Sequence, residues 1–172
     1  MTFSCPSFNQ NQSAKAPSTS SENCCRLAVV GIGNPLKVED SIGLSLTRSL
    51  LEKEADRTAP GVCVFLLDNF TSLLGEILRC HKKVLVVDSA KLDRENLDYI
   101  FLELTEKSLS ESTRIKSLSH GFSWIDEVFI ALSLNQKTIS AEIHLFAADS
   151  NAADRSKLKE QFFDSVQLLK GR

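Results

Sequence analysis

Leu27-Ala28-Val29-Val30-Gly31-Ile32-Gly33-Asn34-Pro35-Leu36-Lys37-Val38-Glu39-Asp40-Ser41-Ile42-Gly43 runs from a short apolar stretch through a turn rich in Gly, Asn and Pro. It leads into a segment in which Ile42, Leu46 and Leu50 recur at the i, i+4, i+8 spacing of a helix stripe. Leu27 to Ile32 is too short for a buried helix and apolar at almost every position, as a strand covered on both faces must be. Strand, tight turn and amphipathic helix in succession are the repeating unit of an α/β domain.

The same alternation continues outward. Val62 to Leu67, Val84 to Val87, Tyr99 to Leu104 and Ile143 to Phe146 are further strand candidates, and the runs around Val29, Phe65 and Leu85 are apolar enough for burial on both faces. Helical stripes fall on Ile125, Val128, Phe129 and Leu132, and on Leu158, Phe162, Val166 and Leu169. These are core positions, and they predict a three-layer α/β fold: a mostly parallel twisted sheet with helices on both faces. Leu104 to Lys116 is polar, without clear period, and predicted as a loop over the site. Residues 1–23, rich in Ser, Asn and Gln, bury too little to offset their ordering entropy and are predicted as a disordered tail, leaving 24–172 as the domain.

Composition narrows the function. A chain of 172 residues with 42% hydrophobic positions builds a core without staples. Twenty Lys+Arg against 22 Asp+Glu give a net charge of -2 with no basic run, which argues against nucleic acid or an anionic membrane as partner. Cys5, Cys24, Cys25, Cys63 and Cys80 form no C-x-x-C pair and imply neither a disulfide framework nor a zinc ribbon; Cys63 is expected as a small core thiol. No apolar stretch is long enough for a membrane span, and the N-terminus lacks the pattern of a secretory signal, so a cytoplasmic location is expected.

In an open α/β sheet the site lies beyond the carboxyl ends of the strands. Asp40 follows the first run, Asp68 ends the second and Asp88 ends the third, and adjacent strands would bring the three together. Crowded carboxylates require a cation, a shared proton or hydrogen bonds. His120, in a Ser-His-Gly turn before the helix starting near Ser123, would complete a ligand set for a divalent transition ion, among which nickel, zinc and manganese all remain open. Each residue also has a plainer role: Asp40 capping the next helix, Asp68 capping a helix over Thr71 to Arg79, Asp88 closing a turn through its own backbone, His120 as a hydrogen-bonded turn residue. His81 resembles an exposed helix end, and His144 a structural strand residue. Gly31-Ile32-Gly33 starts like a dinucleotide fingerprint, but the third glycine is missing, Pro35 stands where the helix should open, and Asp68 lies too far along the chain.

Gly31 to Gly43 closely resembles the opening motif of the hydrogenase maturation proteases, G-x-G-N-x-L-x-x-D-[DE]-x-x-G, with Glu39 and Asp40 at the acidic pair. The resemblance continues through Leu67-Asp68 with Thr71, Val86-Val87-Asp88-Ser89-Ala90, and Ser119-His120 before a helix, spanning about Leu27 to Leu169. It implies an endopeptidase that removes the C-terminal extension from the large-subunit precursor of nickel–iron hydrogenase after nickel insertion. It implies as well that Asp40, Asp88 and His120 meet the metal and carry the catalysis, that nickel arrives with the substrate, and that Asn34 and Asp68 touch the substrate. A homologue that binds a metal-loaded partner without cutting it would share these residues. The sequence departs from the motif at Glu39, at Ser41, at Asn69-Phe70, where D-x-G-T is usual, at Ser119, and at Phe146-Ala147-Ala148-Asp149, where a turn with Gly and Pro is usual.

Overall fold

The computed structural model describes residues 26–55, 61–68, 73–92, 97–105 and 141–171. The tail over residues 1–23, the polar loop beyond Thr105 and the stripe Ile125 to Leu132 lie outside the described residues. All five strand candidates are strands: β1 (Leu27–Gly33), β2 (Val62–Asp68), β3 (Lys83–Ala90), β4 (Tyr99–Glu103) and β5 (Glu142–Asp149). Among the described residues three helices accompany them, α1 (Ile42–Ala55), α2 (Leu74–Cys80) and α3 (Arg155–Lys170), and a 3-10 turn occupies Val38–Asp40.

The sheet order is β2-β1-β3-β5-β4, parallel throughout except for β4, which runs antiparallel to β5. The chain steps outward from β1 to β2 and then returns across β1 to β3. Right-handed crossovers of opposite direction place their helices on opposite faces. Accordingly α1 and α3 cover one face, where Ile42, Leu46, Leu50, Leu158, Phe162, Val166 and Leu169 pack on Leu27, Val29, Leu85, Val87 and Phe146. On the other face, Leu74, Ile77 and Leu78 of α2 pack on Ala28, Val30, Val84 and Val86. The three-layer expectation is met. The four stripe residues of α3 are all buried, each contributing about 1.5–3 kcal/mol. Asp154 fixes where that helix starts, its Oδ1 accepting the backbone N–H groups of Ser156 and Lys157 at 3.0 Å each.

Several details differ from the sequence expectations, each for a definable reason. β1 and β3 are buried on both faces, but β2 is half-buried at most positions because it is an edge strand. β3 and β5 extend beyond their apolar runs because backbone pairing continues through Asp88↔Ala147, Ser89↔Ala148 and Ala90↔Asp149, and ladder bonds do not depend on side-chain polarity. Cys63 is disulfide-bonded rather than a plain core thiol. His81 is buried, not exposed: it terminates α2, and its Nδ1–H donates to the Ile77 carbonyl at 2.9 Å while its ring meets Phe65 edge-on. His144 is buried in β5 as expected of a structural residue, stacked on Phe101 and bonded through Nε2 to Glu142 at 2.8 Å. No helix among the described residues is long and apolar enough to cross a membrane.

Candidate functional site

β1 and β3 pair from Leu27↔Lys83 to Gly31↔Val87, and there their ladder ends. Winding reverses at this seam, with β2 on one side of β1 and β3 on the other. A crevice at the carboxyl ends of the strands follows from that reversal, and ligands of open α/β sheets bind in such crevices. Asp88 is the first residue of β3 past the β1 ladder. Asp40 ends the loop that leaves β1.

Close backbone packing holds these two residues at the seam. The N–H of Asn34, just past β1, donates to the Asp40 carbonyl at 3.2 Å, and a Cβ at Gly33 would run into that same carbonyl oxygen. Gly33 also has φ +154, a backbone conformation that side-chain-bearing residues rarely adopt. Only glycine lets the Asp40 backbone fold back onto the end of β1. Gly43 does the equivalent on the other strand: a Cβ there would lie 2.5 Å from the Val87 carbonyl oxygen, 2.7 Å from that of Ile32 and 3.0 Å from the Asp88 Cα. The first turn of α1 thus rests directly across β1 and β3, and the Gly43 N–H points to the Ser89 Oγ at 3.4 Å. The 3-10 turn that carries Asp40 packs against β3.

Asp40 and Asp88 are both buried, at 4% and 3% exposure. Burial of a carboxylate is costly unless hydrogen bonds or a cation compensate. For Asp88 one compensation is visible, the Ser89 N–H donating to its Oδ1 at 2.8 Å. This matches the plainer expectation for Asp88 in part, but the residue sits within β3 rather than at a turn. Strand alternation puts it on the face of Val84 and Val86, the face that α2 covers. Asp40 stands one residue before the N-cap position of α1: the helix begins at Ile42, and the Ser41 carbonyl accepts the Ser45 N–H at 2.9 Å.

Of the remaining predicted residues, Asn34 lies on the same loop, partly exposed, its Oδ1 accepting the Leu36 N–H at 2.9 Å. Asp68 ends β2 directly opposite Gly33, so its backbone belongs to the same edge. The helix that follows, α2, starts at Leu74 with Leu73 at its N-cap. His120 lies outside the described residues. The structure therefore brings the turn that carries Asp40 and the backbone of Asp88 to one seam, at the carboxyl ends of β1 and β3. Among the described residues no three His, Cys, Asp or Glu side chains form a metal-holding group, so the carboxylate pair needs a further ligand to hold an ion. Sequence reasoning did not single out Ser89 or Gly43 for the framing of the site; both stood inside the quoted motifs, which was their only signal.

A Cβ at Gly31 would meet the Thr47 Oγ1 at 2.5 Å, so that glycine lets α1 lie close against β1.

No protein-family description and no curated protein matches the chain by sequence. Solved structures do. The NiFe hydrogenase maturation protease HybD from Thermococcus kodakarensis superposes with a TM-score of 0.62 at 18% identity, covering 84% of this chain and 99% of that one. The hydrogenase maturating endopeptidase HybD from E. coli gives 0.55 at 17% identity, covering 82% and 89%. The NiFe hydrogenase maturation protease HycI from Thermococcus kodakarensis KOD1 gives 0.56 at 18%, covering 86% and 93%. The motif that leads from β1 to α1 and the architecture built around it point the same way, and the chain has the fold of the hydrogenase maturation proteases.

Proposed function

We propose that this protein is an endopeptidase that removes the C-terminal extension of a nickel-loaded hydrogenase large-subunit precursor, and that Asp40, Asp88 and His120 recognise the nickel. The observation that carries the reading is the burial of two aspartates, Asp40 and Asp88, on segments that meet at the carboxyl end of the β1–β3 seam, in a fold shared with proteins described as hydrogenase maturation proteases. Nickel accepts carboxylate and imidazole ligands, so an ion already held by the precursor gains coordination from the protease. The metal thereby reports that the precursor is loaded. A contact worth about 1.4 kcal/mol discriminates tenfold, and two or three coordinated groups enforce insertion of nickel before cleavage. With the extension held beside the ion, a carboxylate takes the proton of the attacking water.

The test is to mix the purified protein with a large-subunit precursor, with and without inserted nickel, and to follow the mass of the precursor. Loss of a C-terminal peptide from the nickel-loaded form alone is expected. A stable complex with no loss of mass would instead assign the chain to assembly without cleavage. His120→Ala is expected to abolish processing while leaving the thermal transition in place, and normal processing by that variant would remove His120 from the site.

A further inference from the structure

The loop between β1 and α1 holds two large aliphatic side chains in water: Leu36 is 91% exposed and Val38 81%. A flexible loop would fold such residues against the surface, but this one is braced. The Asn34 N–H donates to the Asp40 carbonyl, the Leu36 N–H to the Asn34 Oδ1, the Lys37 N–H to the Asn34 carbonyl, and the Asp40 N–H to the Lys37 carbonyl at 3.0 Å. The Val38 carbonyl accepts both the N–H and the Oγ–H of Ser41. Pro35 fixes a further φ angle. The network closes the loop on itself from Asn34 to Ser41, so the tip is set rigidly relative to Asp40, which belongs to the same ring of bonds. An apolar tip whose shape is fixed in advance loses little entropy when it docks, and anchors of this kind carry a large share of interface affinity.

We infer that Leu36 and Val38 are a docking knob that seats in an apolar depression on the folded part of the protein substrate, beside the segment presented to Asp40 and Asp88. The inference rests on the endopeptidase reading for the identity of that substrate. A protein partner is favoured by continuity: the knob and Asp40 share one braced loop, so whatever meets the carboxylate meets the knob. A membrane fits poorly, because the two side chains together carry fewer carbons than a single myristoyl chain, which by itself anchors only marginally. The exposed Lys37 and Glu39 beside them cancel in charge, so the loop adds no net electrostatic attraction to anionic lipid.

The experiment uses the full chain and Leu36→Ser, Val38→Ser and the double variant, measuring equilibrium binding to the nickel-loaded precursor, KM and kcat of processing, and the thermal transition. Each single change is expected to weaken binding and raise KM about tenfold, the double change about a hundredfold, with kcat at saturation and the thermal transition unchanged. Equal binding by wild type and double variant, with processing intact, overturns the knob and leaves the endopeptidase standing. Binding without cleavage by wild type, weakened in the variants, removes the endopeptidase and supports the knob. Absence of both binding and cleavage by wild type overturns both. Concentration-dependent self-association, or flotation with phosphatidylcholine vesicles, that the double variant abolishes would assign the knob to another occupant and overturn the proposal.

Discussion

At the amino ends of the strands His81 and His144 are buried, and at the carboxyl ends Asp40 and Asp88 are buried to the same degree. What surrounds them differs. One ring nitrogen of each histidine is bonded within its own neighbourhood in sequence: His81 bonds to Ile77, four residues back in the helix it terminates, and His144 bonds to Glu142, two residues away on the same strand. Each also packs against an aromatic ring. The carboxylates instead come from segments 48 residues apart, held together by two glycines, Gly33 and Gly43, that admit backbone where no side chain would fit. Burial alone does not mark a functional group. The proposal for Asp40 and Asp88 rests instead on burial combined with convergence of remote segments at the point where the sheet reverses its winding.

The largest expected effect belongs to the carboxylates. Asp88→Asn keeps an oxygen to accept the Ser89 N–H, so folding should survive while the charge is lost. Removing a group that contacts the metal or moves a proton should lower the processing rate by about 10²–10³-fold, read from the mass of the precursor over time. Asp40→Asn should behave alike. Wild-type rates in both variants would reduce the carboxyl end to the same structural status as the amino end. Next comes the frame: Gly43→Ala drives a methyl into the Val87 and Ile32 carbonyls and should cost about 2–3 kcal/mol. For a chain of this size that lowers Tm by roughly 4–12 °C. An unchanged Tm would mean that α1 does not rest on the seam as described.

Asp154 supplies an internal control, an exposed carboxylate at the carboxyl end of the sheet with a purely local task. Asp154→Ala removes the cap of α3 and should cost about 1 kcal/mol in thermal or denaturant unfolding, with processing unchanged. If processing fell as far as in Asp88→Asn, charge at that end of the sheet, rather than the crevice, would be the operative feature.

What the sequence made legible, and what it hid, follows from the range of the forces involved. The five strands and the stripes of α1 and α3 were visible because burial on a regular lattice imprints a period on the chain. Asp40 and Asp88 were legible as candidates because strand ends converge in this architecture. The ends of β3 and β5 were hidden, since the ladder through Asp88 and Ser89 is made by backbone groups that every residue carries. His81 was misjudged because Lys82 and Lys83 follow it, and local polarity does not reveal that the ring turns inward to cap α2. The disulfide at Cys63 was missed for a related reason: pairing depends on spatial proximity, and no C-x-x-C spacing announces it. The exposure of Leu36 and Val38 was equally invisible, because composition alone assigns aliphatic residues to the core.

The smallest expected effect tests the amino end directly. The His144 ring lies nearly parallel to Phe101, with 5.6 Å between centroids, and its Nδ1 is buried with no hydrogen-bond partner. Its bond to Glu142 is strong in geometry at 2.8 Å, but the Glu142 side chain is 37% exposed, and water competes for that carboxylate. His144→Phe keeps an aromatic ring against Phe101, removes the unpartnered nitrogen and gives up the screened contact to Glu142. These changes oppose one another, so the net change in stability should stay within about 1 kcal/mol, with processing at the wild-type rate. A loss of processing without a loss of stability would be the more instructive result. It would show that the amino end communicates with the crevice along β5 and β3, whose ladder runs unbroken from His144↔Leu85 to Asp88↔Ala147, and the division between a structural and a functional end of the sheet would no longer hold.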